Sequence, residues 1–162
     1  MLKVIANSTP IIALEKIGKL NILKELYGKI YIPYGVYEEV IIGGKEKINN
    51  NFIQNNDFII IKEIKNEEAK KLFLTSLHKG EVEVMILARE MEADICIIDD
   101  FLARKYAKYL NIRITGTMGI LLKAKESGII KEIKPLLDNL IEEHIYIDKK
   151  LYKDVLQIAK EQ

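Results

Sequence analysis

The stretch CIIDDFLARK, residues 96–105, decides how the rest of the chain is read. An apolar run ends on two adjacent aspartates, Asp99 and Asp100, and an amphipathic stretch follows. A short apolar run with polar flanks reads as a buried strand. Residues 101–110 read as the helix after it. Two like charges at a strand end have a plain explanation, a solvated turn in which Asp100 caps the helix. They also have a chemical one, a wall of a metal site whose other walls come from distant parts of the chain.

The same grammar extends in both directions. Strands are predicted over residues 2–6, 29–33, 58–64, 94–98 and 111–115. The motif NSTP after the first strand predicts a helix over residues 10–16, capped by Ser8 or Thr9, with Pro10 in the first turn. A short helix then ends at Gly28, and another spans residues 34–42 before Gly43 and Gly44. Residues 45–56 read as a weak helix or a loop, and residues 66–77 as a helix capped by Asn66. Residues 78–80 break the pattern ahead of a strong helix over 81–92. Helices follow over 117–127, 135–144 and 150–162, the last two with apolar positions on one face. Strands alternating with helices predict a three-layer α/β/α sandwich around a mostly parallel sheet. One domain over residues 1–162 is the economical reading, with residues 135–162 packing on it or on a second subunit.

Composition narrows the class. The chain is 49% hydrophobic and 30% charged, so it buries a core rather than staying disordered. Its net charge of +1 offers no global field for a polyanion, and any basic surface must be local. The single cysteine, Cys96, excludes an internal disulfide and reads as a small buried residue. No window reaches the length of a membrane span, and a cytoplasmic protein is expected. His78 and His144 have no metal-type spacing.

In an open α/β sheet, sites form beyond the carboxyl ends of the strands. The residues after the strands are Asn7 and Ser8, then Glu38 and Glu39 on a helix, then Asp99 and Asp100, then Thr117. Glu81 opens the helix before the strand that carries Cys96. These are hard oxygen groups, which suit Mg²⁺ or Mn²⁺. Without a cation, clustered carboxylates repel one another. Each residue also has a bland role. Glu81 in a first helical turn complements the helix dipole, NSTP is an ordinary helix start, and Glu38 and Glu39 are ordinarily solvated. Val84, Met85 and Ala88 turn Glu81 toward the interior, and Glu83 is expected to face water. On the helix over residues 101–110, Leu102, Tyr106, Ala107 and Leu110 are expected to be buried. Arg104, Lys105 and Lys108 form its polar face, a basic strip able to hold phosphates.

The combined order of features resembles the PIN-domain family, in particular a VapC-like toxin branch. Residues 4–40 resemble its beginning, residues 78–130 its second half, and residues 133–156 its tail. The resemblance implies Mg²⁺- or Mn²⁺-dependent cleavage of RNA, an antitoxin protein as partner and a homodimer. Carried over position by position, it implies Asn7, Glu39 (in preference to Glu38), Glu81 and Asp100 as catalytic residues. Glu39, Glu81, Asp99 and Asp100 become metal ligands, and Ser8, Arg104, Lys105 and Thr117 contacts to nucleic acid. The family has Asp where this chain has Asn7, which removes a charge from the site. The alternative is therefore a catalytically impaired module that keeps the fold for binding or regulation. A phosphoacceptor domain would want an acidic pair after the first strand, where Asn7 stands.

Overall fold

The computed structural model describes residues 2–43, 52–73 and 79–162. Five short strands form one sheet with every pairing parallel: β1 (Val4–Ala6), β2 (Ile30–Ile32), β3 (Ile59–Ile61), β4 (Ile95–Ile97) and β5 (Ile114–Thr115). Their order across the sheet is β3-β2-β1-β4-β5. β1 and β4 lie at the centre and are buried at every residue, whereas edge strand β5 is only half-buried. Runs of Ile and Val suit strands covered on both faces.

Helices flank the sheet: α1 (Ser8–Lys16), α2 (Asn21–Tyr27), α3 (Tyr34–Glu38), α4 (Phe52–Asn55), α5 (Lys70–Phe73), α6 (Lys79–Met91), α7 (Phe101–Tyr109), α8 (Thr117–Glu126), α9 (Lys134–Glu142) and α10 (Lys149–Ile158). The α/β architecture is the expected one. α3 packs on α6, and α1 and α2 pack on α8. Gly28 ends α2 with a φ of 79°, a conformation that L residues with a Cβ resist.

Several local expectations need correction. α1 begins at Ser8, with Asn7 rather than Ser8 or Thr9 in the cap position. α3 does not run evenly to Ile42. It passes into a π-helical turn over Glu39–Gly43, a wide turn that shifts the phase of every side chain after Glu38. Asn66 caps as expected, accepting from the Ala69 N–H at 3.2 Å, but the first turn is a 3₁₀ helix over Glu67–Ala69. The readings for residues 45–51 and 74–78, with His78, lie outside the described residues. On α7 the fully buried positions are Ala103 and Ala107, while Leu102, Tyr106 and Leu110 are only partly covered. Two alanines let α7 sit close against its neighbours, so the larger side chains flank the contact instead of filling it.

The C-terminal helices join the common core through Leu136, Leu137, Leu140, Val155 and Leu156. Glu161 locks them. Its carboxylate accepts from the N–H groups of Ile133 (2.7 Å) and Lys134 (2.9 Å) at the start of α9. It also receives the Lys125 ammonium of α8 at 2.9 Å. Cys96 is fully buried, and burial pushes its thiol up to about 12, so it stays protonated and inert. No helix among the described residues is long and apolar enough to cross a membrane.

Candidate active site

The strand order reverses direction between β1 and β4, because the chain goes from β1 out to β3 and returns to the other side at β4. A crevice opens at such a switch point, beyond the carboxyl ends of the two strands. Ala6 pairs with Ile97, and the Asn7 N–H donates to the Ile97 carbonyl at 2.9 Å. Asn7 therefore leaves β1 beside the residues that lead to Asp99.

Asn7 is 2% exposed. It occupies the cap position of α1 but makes no side-chain cap bond. The usual target of a cap side chain is the N–H of the second or third helical residue. Pro10 is third and has no N–H to offer. The Asn7 Oδ1 is buried without a hydrogen-bond partner among the described residues. A buried acceptor left unsatisfied costs about 1–3 kcal/mol. A cation, or a water held by one, would remove that cost.

Two groups of predicted residues meet at this edge. In the first, the Ser8 hydroxyl donates to Glu39 Oε2 at 3.1 Å. The Glu39 carboxylate lies directly on Gly80, where any Cβ would collide with it. Glu39, the first residue of the π turn, is thus the member of the Glu38–Glu39 pair that lies beside Ser8. Gly80 admits it next to Glu81, which is 8% exposed in the first turn of α6.

In the second group, Asp99 accepts from the Thr117 N–H (2.8 Å) and hydroxyl (2.5 Å) at the start of α8. Arg104 turns back from α7 and donates to the Ile98 carbonyl at 2.9 Å. A Cβ on Gly116 would meet both Asp99 Oδ1 and Arg104 Nη1, so this glycine lets the two approach. Asp100 caps α7 by accepting from the Ala103 N–H at 2.8 Å.

The expected RNA contacts divide. Ser8 and Thr117 are 5% and 3% exposed and bond to carboxylates, so in this structure they orient Glu39 and Asp99. Lys105 is exposed on α7. Among the described residues, no three His, Cys, Asp or Glu side chains stand together as a ready-made ligand group. Mg²⁺ and Mn²⁺ need less than that, since one or two carboxylates with several waters suffice. The donor chemistry fits such an ion: a buried Asn7 carbonyl without a partner among the described residues, and next to it in sequence Ser8, bonded to the Glu39 carboxylate.

Glu83 overturns its expectation. It is 2% exposed instead of facing water. Its Oε1 accepts from the Gly35 N–H at 3.0 Å, capping α3, and its Oε2 pairs with the Lys70 ammonium at 3.3 Å. Gly35 leaves room for it, since a Cβ there would come within 2.8 Å of Oε2. A signal was present: Ile86 and Leu87 follow Glu83 at three and four residues, so Glu83 shares an apolar face of α6.

A parallel sheet whose strand order reverses between β1 and β4, with Asn7 and Asp99 just beyond those strands, defines an α/β domain of the doubly wound kind. The chain matches the family model of the PIN domain over residues 3–161, and it belongs to that family. No protein of curated function matches it.

Proposed function

We propose that this PIN domain is a metal-dependent ribonuclease, a toxin-like component of the VapC kind. The observation that carries the reading is the buried Asn7 Oδ1 at the switch point, without a hydrogen-bond partner among the described residues, while the adjacent Ser8 holds Glu39 and Thr117 holds Asp99. Glu39, Glu81, Asp99 and Asp100 would hold Mg²⁺ or Mn²⁺. Once bound, the ion supplies a water of lowered pKa and neutralises charge developing on the phosphate. Ser8 keeps Glu39 aimed at the crevice, and Thr117 does the same for Asp99. Asn7 and Ser8 orient the attacking water. Arg104, fixed to the sheet edge through the Ile98 carbonyl, and Lys105 hold the phosphate backbone. Family membership supports RNA as substrate. A cytoplasmic setting, an antitoxin partner and a homodimer belong to the same proposal.

A second reading, a binding or regulatory module without catalysis, is favoured by Asn7 itself, which removes one charge from the crevice. Cleavage of RNA in Mn²⁺ separates the two. Asp100→Asn is the sharpest variant, because Asn caps a helix as well as Asp does and the fold should be unaffected. Loss of one charge contact with a divalent ion costs on the order of a few kcal/mol, or about a hundredfold in rate. Wild-type cleavage that Asp100→Asn lowers to that extent supports the nuclease. Equal rates for both proteins end the assignment.

A further inference from the structure

The helix that leaves the crevice carries two exposed aromatic rings that the reaction does not use. On α7, Phe101 is 83% exposed and Tyr109 is 86% exposed. Lys105 and Lys108 are exposed between them. The four positions are spaced i, i+4, i+7 and i+8, so they share one outward face opposite the buried Ala103 and Ala107. Beside them, Leu102, Lys105, Tyr106 and Tyr109 line an open cleft of about 220 Å³. The helix FLARKYAKY contains three cations and no acidic residue, in a chain whose net charge is only +1.

We propose that this face of α7 is a stacking strip for single-stranded RNA, leading the strand to the edge where Asp100 stands. Unpaired bases stack on aromatic rings whatever their identity, while cations between the rings follow the phosphates. Phe101 adjoins Asp100 in sequence, so a base on its ring brings the neighbouring phosphate to the crevice. From Phe101 to Tyr109 the helix rises about 12 Å. That covers three or four nucleotides at a stacked spacing of about 3.4 Å. Lys105 and Lys108, exposed on a helix that carries no acidic residue, select a polyanion over an apolar protein surface. Bases locked in a duplex cannot reach the rings, so the strip discriminates against double-stranded RNA.

The proposal rests on the ribonuclease reading, but its test avoids catalysis. The full chain is titrated into a 5′-labelled single-stranded 12-mer RNA in EDTA, and fluorescence anisotropy is followed. Phe101→Ala and Tyr109→Ala should each weaken binding about tenfold. Tyr109→Phe should retain it, and Lys105→Gln should lower the salt slope by about 0.7. All three sites are on the surface, and unchanged melting temperatures exclude unfolding as the cause. Wild-type affinity in the Phe101→Ala/Tyr109→Ala protein overturns the strip, as does duplex RNA binding as tightly as single strands. A double variant that loses self-association and keeps RNA affinity also overturns it, by assigning the face to a second copy. Stacking-dependent binding without Mn²⁺ cleavage would keep the strip and remove the nuclease, and the reverse pattern would do the opposite.

Discussion

Asn7→Asp is expected to change sign with metal: less stable than wild type in EDTA, more stable in Mn²⁺. The position is 2% exposed and its Oδ1 has no hydrogen-bond partner among the described residues. A carboxylate there would be desolvated at a position already 2% exposed. The expected loss without metal is about 1–3 kcal/mol. A divalent ion reverses the balance, because the added charge gains on the order of a few kcal/mol of attraction. Mn²⁺ affinity should then rise by one to two orders of magnitude, and the melting temperature should rise with Mn²⁺ more steeply than in wild type. Thermal unfolding of both proteins with EDTA and with Mn²⁺ checks this. Parallel behaviour in the two media would mean that the Asn7 side chain does not face a cation site.

Glu83→Ala is expected to destabilise the fold by about 3 kcal/mol. The carboxylate joins three elements: it caps α3 through Gly35, it sits on α6, and it pairs with Lys70 of α5. Removing it leaves the buried Gly35 N–H without its acceptor and takes from Lys70 the buried one of its two carboxylate partners, the other being Glu67 at 2.8 Å. In a chain of this size the loss corresponds to a melting-temperature drop of about 6–12 °C. Glu83→Gln keeps an acceptor for Gly35 and should fall well short of that. The effect reaches the crevice, because α3 runs directly into the turn that carries Glu39. A drop below 2 °C for Glu83→Ala would show that the bond network adds nothing to solvation of the same groups.

The two residues show what the sequence discloses and what it withholds. Alternating apolar strands and amphipathic helices are local patterns, and they disclosed the parallel α/β fold directly. The position of Asn7, Glu39, Asp99 and Thr117 beyond strand ends follows from the same topology. The hidden features depend on partners far away in the chain. Glu83 looked solvated beside Glu81, and its partner Gly35 lies 48 residues upstream. The π turn after Glu38 leaves an apolar sequence, Val40 to Ile42, that suits an ordinary helix equally well. Gly80 gave no local reason to be glycine until the Glu39 carboxylate was seen against it. On α7 helical periodicity gives Leu102, Tyr106, Ala107 and Leu110 as the buried face; Ala107 is buried as expected, but close packing covers Ala103 beside it and leaves the three larger side chains half-covered. Helical periodicity shows which residues share a face, and the size of the gap on that face decides which are covered.

In the function we propose, oxygens from Asn7, Glu39, Glu81, Asp99 and Asp100 take up one divalent ion at the switch point between β1 and β4. Isothermal titration of the full chain with Mn²⁺, repeated on Glu39→Gln, tests it most directly. Saturable heat from one ion per chain is expected in the wild type, with affinity at least tenfold weaker in the variant. Millimolar Mn²⁺ that yields no binding heat and leaves the melting temperature in place would contradict it.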